Sequence, residues 1–125
     1  MWPGLRREQR GARAEQLARN YLEQQGLYFR QANFRCRRGE IDLIMQDGDT
    51  LVFVEVRYRR NSRYGTAAET VDRHKQRKLV TTALFYLQSN PQLARLSGRF
   101  DVIAISGDSG SPRIDWHPDA IQIQD

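Results

Sequence analysis

Residues 39–57, GEIDLIMQDGDTLVFVEVR, constrain the fold more than any other stretch of this chain. Two alternating segments, residues 40–45 and 50–57, flank Asp47-Gly48, a dipeptide favoured in the tight turns of β-hairpins. A two-residue loop there pairs Gln46 with Asp49, which sets Asp42 opposite Phe53 and Glu40 opposite Glu55. Strand side chains alternate, so Ile41, Leu43, Met45, Val52, Val54 and Val56 fall on one apolar face. The other face is divided. Ile44, Leu51 and Phe53 lie near the turn, and Glu40, Asp42, Glu55 and Arg57 lie at the far end.

In that register Asp42 and Glu55 are diagonal neighbours, roughly 7–8 Å apart at the backbone, and their carboxylates can converge on one ion. Like charges held so close repel unless a cation, a proton or an arginine compensates them. Oxygen-only ligands in a partly open site suit Mg²⁺ or Mn²⁺ better than zinc. The competing reading is an exposed edge on which Glu40, Glu55 and Arg57 form solvated pairs. Against it, the strands are otherwise apolar on both faces, as in a covered central hairpin.

The rest of the chain supplies the covering elements. Residues 4–25 read as a helix with a stripe of Ala14, Leu17, Ala18, Tyr21 and Leu22, stopped at Gly26. Glu15 lies on the flank of that stripe, facing either an intrahelical ion pair or the space beside the hairpin. Residues 27–34 read as a first strand, and Arg35, Arg37 and Arg38 then form a basic turn that can hold a phosphate or simply be solvated. After Arg57 comes a loop over residues 58–65. Its arginine interleaved with tyrosine (Tyr58, Arg59, Arg60, Arg63, Tyr64) suits phosphate contact and base stacking, or it simply covers surface and binds nothing. A second helix from about Asp72 carries a stripe of Leu79, Val80, Ala83, Leu84 and Leu87 and ends at Asn90-Pro91. Gln76 extends the stripe and Lys75 flanks it, so both can point at the sheet. FDVIAI, residues 100–105, is a buried strand, with Asp101 a structural hydrogen-bonding carboxylate and not a ligand. A Gly/Ser-rich loop follows, then a short edge strand over residues 113–117 with Trp116 covering the core, and a weak last strand or tail over 119–125. The order is α-β-β-β-α-β-β, a mixed α/β sheet flanked by helices.

The 125 residues suit a single domain spanning 1–125, with its core at about 10–105. A formal charge of +5 favours a polyanionic partner, nucleic acid or an acidic membrane surface, without choosing between them. One cysteine, Cys36, excludes an internal disulfide and a multi-cysteine zinc site, and His74 and His117 are too isolated to build one. With no apolar run resembling a signal peptide or a bilayer span, the expected location is the cytoplasm, without membrane association.

Taken together, the helix bearing Glu15, GEIDLI, LVFVEVR, the basic loop, the Lys75-Gln76 helix and RFDVIAI resemble the YraN-like family of small bacterial proteins, over roughly residues 10–105. That family is assigned to the restriction-endonuclease-like superfamily, whose layout archaeal Holliday junction resolvases share. The resemblance implies Asp42 and Glu55 as metal ligands with the carbonyl of Val56, Glu15 as the helix acid and Gln76 as the glutamine bordering the site. It also implies DNA as the partner, branched DNA as the substrate class, and a symmetric homodimer. One position departs: Arg57 stands where the superfamily has lysine. A guanidinium, with a pKa above about 12, cannot serve as a base at neutral pH, although it can clamp a phosphate bidentately. Three readings follow: a metal-bound water suffices, Lys75 substitutes from the helix, or the site binds nucleic acid without cutting it.

Overall fold

A computed structural model describes residues 7–59, 71–107 and 111–121, apart from the side chains of residues 7–10 and 59. Among them the order is α1 (Arg7–Gln24), β1 (Tyr28–Cys36), β2 (Gly39–Asp47), β3 (Thr50–Arg59), α2 (Arg73–Ser89), a 3-10 turn (Pro91–Leu93), β4 (Ser97–Ser106) and β5 (Arg113–His117). This is the expected α-β-β-β-α-β-β arrangement. The strands form one mixed sheet in the order β1-β2-β3-β4-β5, antiparallel except for the β3–β4 pair. Parallel neighbours need a crossover, and the segment containing α2 provides it. No helix among the described residues is long and apolar enough to cross a membrane.

The hairpin turn differs from the expected one. Asp47 pairs with Thr50 and Gln46 with Leu51, so the loop is Gly48-Asp49 and the register slides by two residues. Gly48 has φ +60°, and Asp49 is not among the positive-φ residues. Such a turn puts glycine at the first loop position, as in type II′, whereas the Asp-Gly reading assumed type I′. A slip of two keeps the parity of the faces.

Both faces of the hairpin are covered. Leu43, Met45, Val52 and Val54 join Ile103 and Ile105 of β4 against Ala14, Ala18 and Leu22 of α1. On the opposite face Ile44, Leu51, Phe53, Phe100 and Val102 pack on Leu79, Ala83 and Tyr86 of α2. Ile41 departs from the predicted face and lies in the α2 cluster. Alternation breaks at Asp42, where the paired residues of β2 and β3 end with Leu43–Val54. Beyond that point the Val56 N–H is donated to the Asp42 side chain, at 2.8 Å.

The buried stripe of α2 is also rotated from the expected one. Leu79, Thr82, Ala83 and Tyr86 are buried, while Leu84 is 56% exposed. Tyr86 sets this rotation, its ring packing edge-on against Phe34 and Phe53 at 5.1 and 6.1 Å. Thr82 tolerates burial because its hydroxyl donates to the Lys78 carbonyl, 2.7 Å away.

Asp101 is fully buried and structural, as expected. Its carboxylate accepts from Arg99 Nε at 3.0 Å, Trp116 Nε1 at 2.9 Å and the Asp119 N–H at 2.8 Å, tying β5 and the segment after it to β4. Ile121 is buried beyond this anchor, and residues 122–125 lie outside the described residues.

Candidate active site

The end of the β2–β3 ladder is where the candidate side chains gather. The paired residues end at Leu43–Val54, and just past them Asp42 and Glu55 line one cavity, close enough for the Glu55 charge to act on Asp42. Ladder hydrogen bonds give way there to a side-chain bond, and the strands part around two carboxylates. Glu55 is 5% exposed and Asp42 is half-buried.

Their electrostatics follow from that burial. The Asp42 carboxyl is pushed up to about 7, first by desolvation and next by the Glu55 charge, against the lowering effect of the Val56 N–H bond. Glu15 and Glu40 add smaller repulsions. Glu15, facing the site from α1, is itself raised by burial, while a hydrogen bond with Asn33 opposes the rise. Asn33 holds a left-handed backbone at φ +54°, which asparagine tolerates better than most residues. Nothing in the sequence pattern singled out Asn33.

Cations complete the constellation. Lys75 Nζ lies 2.7 Å from Glu55 Oε1, and Arg57 stands 3.7 Å from the same oxygen. Lys75 is positioned by the start of α2, where Asp72 caps the helix by accepting the Lys75 N–H at 2.8 Å. Asp42, Glu55, Val56, Arg57, Tyr58 and Lys75 line one open cavity of about 450 Å³. Tyr58 belongs to β3, not to the loop the sequence suggested, and its hydroxyl donates to the Gly107 carbonyl at 3.4 Å. Gln76 is placed differently from the others. Its amide donates to the Val71 carbonyl at 2.7 Å, and it is not among the residues lining that cavity.

The basic residues divide. Arg35 pairs with Glu40 at 2.8 Å, and Arg37 and Arg38 are exposed on the β1–β2 turn. Arg59 ends β3, with its side chain outside the description. Arg60, Arg63 and Tyr64 lie outside the described residues.

Among the described residues no three His, Cys, Asp or Glu side chains gather closely enough to hold a metal ion unaided. The donor set nonetheless suits a hard cation completed by water or substrate oxygens. Two carboxylates line the cavity. Lys75 and Arg57 meet Glu55 at a single oxygen, and Asp42 meets no cation among the described residues, so its charge is resisted and its pKa raised.

The profile described as "Uncharacterised protein family UPF0102" matches residues 14–105. A UPF0102 protein of Pseudomonas savastanoi pv. phaseolicola is 52% identical over 109 residues, covering 87% of this chain and 89% of its own. One from Xanthomonas campestris pv. campestris is 50% identical over 119 residues, 95% of this chain and 96% of its own. Another, from Nitrosococcus oceani, is 44% identical over 124 residues and covers 99% of each.

Proposed function

This chain belongs to the UPF0102 family, and we propose that it is a nucleic-acid-binding phosphodiesterase, dependent on Mg²⁺ or Mn²⁺, that acts on structured or branched DNA. The observation that carries the proposal is the meeting of Asp42 and Glu55 in one cavity where the ladder ends, with Lys75 2.7 Å from Glu55. A stable fold has little reason to crowd carboxylates there. A phosphate-processing site does, because a divalent cation and a scissile phosphate balance each other's charge.

Asp42, Glu55 and the Val56 carbonyl would hold the cation. When bound, it lowers the pKa of a water and offsets charge developing on the phosphate. The Val56 N–H fixes Asp42 through Oδ2, at 2.8 Å. Lys75 and Arg57 neutralise charge on the phosphate, and the guanidinium can clamp two of its oxygens. Lys75 stands from the helix where Arg57 takes the customary lysine position. A cytoplasmic location and a symmetric homodimer belong to the same proposal.

Titration calorimetry with Mn²⁺ on the wild type and Asp42→Asn tests the centre. Binding by the wild type alone is expected, and equal binding by both, or none by either, removes it. Junction, flap and duplex DNA incubated with Mn²⁺ beside an Asp42/Glu55 double variant tests the activity. Arg57 in the customary lysine position favours one second reading, a catalytically silent nucleic-acid-binding module. On that reading no nicking occurs, and neutralising about 5 phosphates gives a log–log salt slope near −4.5 on duplex DNA.

A further inference from the structure

A second cavity, of about 560 Å³, adjoins the first, and Lys75 lines both. Its walls are the β1–β2 turn (Arg35, Cys36, Gly39, Glu40) and the first two turns of α2 with their cap (Asp72, His74, Lys75, Lys78, Leu79). We propose that this cavity receives one unpaired nucleotide of the strand whose neighbouring phosphate lies at Asp42 and Glu55. The inference rests on the phosphodiesterase reading and narrows its substrate class to nucleic acid with an unpaired segment beside the site.

Size and charge both point this way. A cavity of this volume lies in the range that takes one small organic molecule, whereas a continuous duplex is convex and carries its bases inside the stack. Of the cations on its walls, Arg35 is paired with Glu40 and Lys75 with Glu55, which leaves Lys78 to meet one phosphodiester. The carboxylates are already engaged: Glu40 with Arg35 at 2.8 Å, and Asp72 with the Lys75 N–H. Among the described residues Lys78 has no ion-pair partner, so it is the cation left for the phosphate. Arg35, steadied by Glu40, offers a guanidinium plane on which an unstacked base can lie, and Leu79 gives the floor an apolar contact.

The single cysteine reports on this cavity directly. Cys36 is half-buried in its wall, and no other thiol competes for a reagent. The full chain in EDTA would be treated with a maleimide in three ways: alone, saturated with an oligothymidylate of about 12 nucleotides, or saturated with a closed, fully paired DNA dumbbell. Alkylation slowed at least about 5-fold by the single strand and less than about 2-fold by the dumbbell is expected, given a cavity that one nucleotide fills. Lys78→Ala should flatten the single-strand salt slope by about 0.7, the loss of one phosphate contact, and Lys78→Arg should restore it. Equal protection by both nucleic acids, no protection at saturation, no single-strand binding, or an unchanged slope in Lys78→Ala overturns the inference. Failure here is separable from failure of the catalytic reading, because neither measurement needs metal or cleavage. Retained cleavage with an unprotected Cys36 removes only the cavity's role, and a protected Cys36 without Asp42-dependent Mn²⁺ binding removes only the catalytic centre.

Discussion

Replacing Asp42 by Asn should stabilise the metal-free protein at alkaline pH. The Asp42 carboxyl ordinarily titrates near 3.8 and is held at about 7 in the fold. A carboxyl raised on folding carries no penalty below its unfolded pKa. The penalty grows as pH rises toward the folded pKa and is complete above it. The gap of about 3 pH units, at about 1.4 kcal/mol each, gives a ceiling of about 4 kcal/mol. Roughly two-fifths of that is present by pH 5 and nearly all by pH 8. Asp42 is only half-buried and screened by water, so the expected gain for the variant at pH 8 is about 2–4 kcal/mol. Asparagine is nearly isosteric, can still accept the Val56 N–H, and can donate to Glu55. Urea denaturation of both proteins in EDTA at pH 5 and pH 8 reads the difference. A variant no more stable than the wild type at pH 8, or a gap that does not widen from pH 5 to pH 8, would refute the argument that Asp42 is a strained carboxyl.

Mn²⁺ should raise the melting temperature far more at pH 8 than at pH 5.5. A proton held with a pKa of about 7 weakens binding roughly 30-fold at the lower pH, so equal shifts at both would count against Asp42 as a ligand. Gly39→Ala should cost about 1–3 kcal/mol by chemical denaturation, because Gly39 has φ +150° and an added Cβ would lie 3.0 Å from Thr82 Oγ1, itself bound to the Lys78 carbonyl. Asp101→Asn should cost about 3–5 kcal/mol, since its amide sets a donor among the Arg99, Trp116 and Asp119 donors in a buried site. A loss under about 1 kcal/mol there would mean that β5 is held mainly by its ladder.

Periodicity made the elements readable and left the breaks in periodicity obscure. The apolar faces of Leu43, Met45, Val52 and Val54, and of Ile44, Leu51 and Phe53, follow from alternation alone, and a slip of two residues cannot disturb them. The turn type was not readable, because Asp47-Gly48 and Gly48-Asp49 are both good hairpin loops. Ile41 crossed to the other face because Asp42 interrupts the ladder, a tertiary event with no local signature. Leu84 and Tyr86 exchanged roles for a related reason: hydropathy ranks leucine above tyrosine, but Tyr86 reaches the rings of both Phe34 and Phe53. Asp42 and Glu55 stood out because charge is out of place on otherwise apolar strands. Lys75 was ambiguous for the opposite reason, since a lysine at a helix start is ordinary until its partner is seen.

The ladder break and the acidic pair have one cause. Had Asp42 been apolar, the Val56 N–H would need a backbone partner, and the ladder could continue past Leu43–Val54 to close the gap between the strands. Using its own carboxylate as the acceptor, Asp42 ends the pairing and turns Ile41 into the α2 core. The fold thereby sets a raised, partly exposed carboxyl in one cavity with Glu55. Stability alone would favour Asn at this position, as worked out above. A ligand that binds the ionised pair would offset the strain that Asp42 imposes on the fold, because its binding would displace the proton that the raised carboxyl retains.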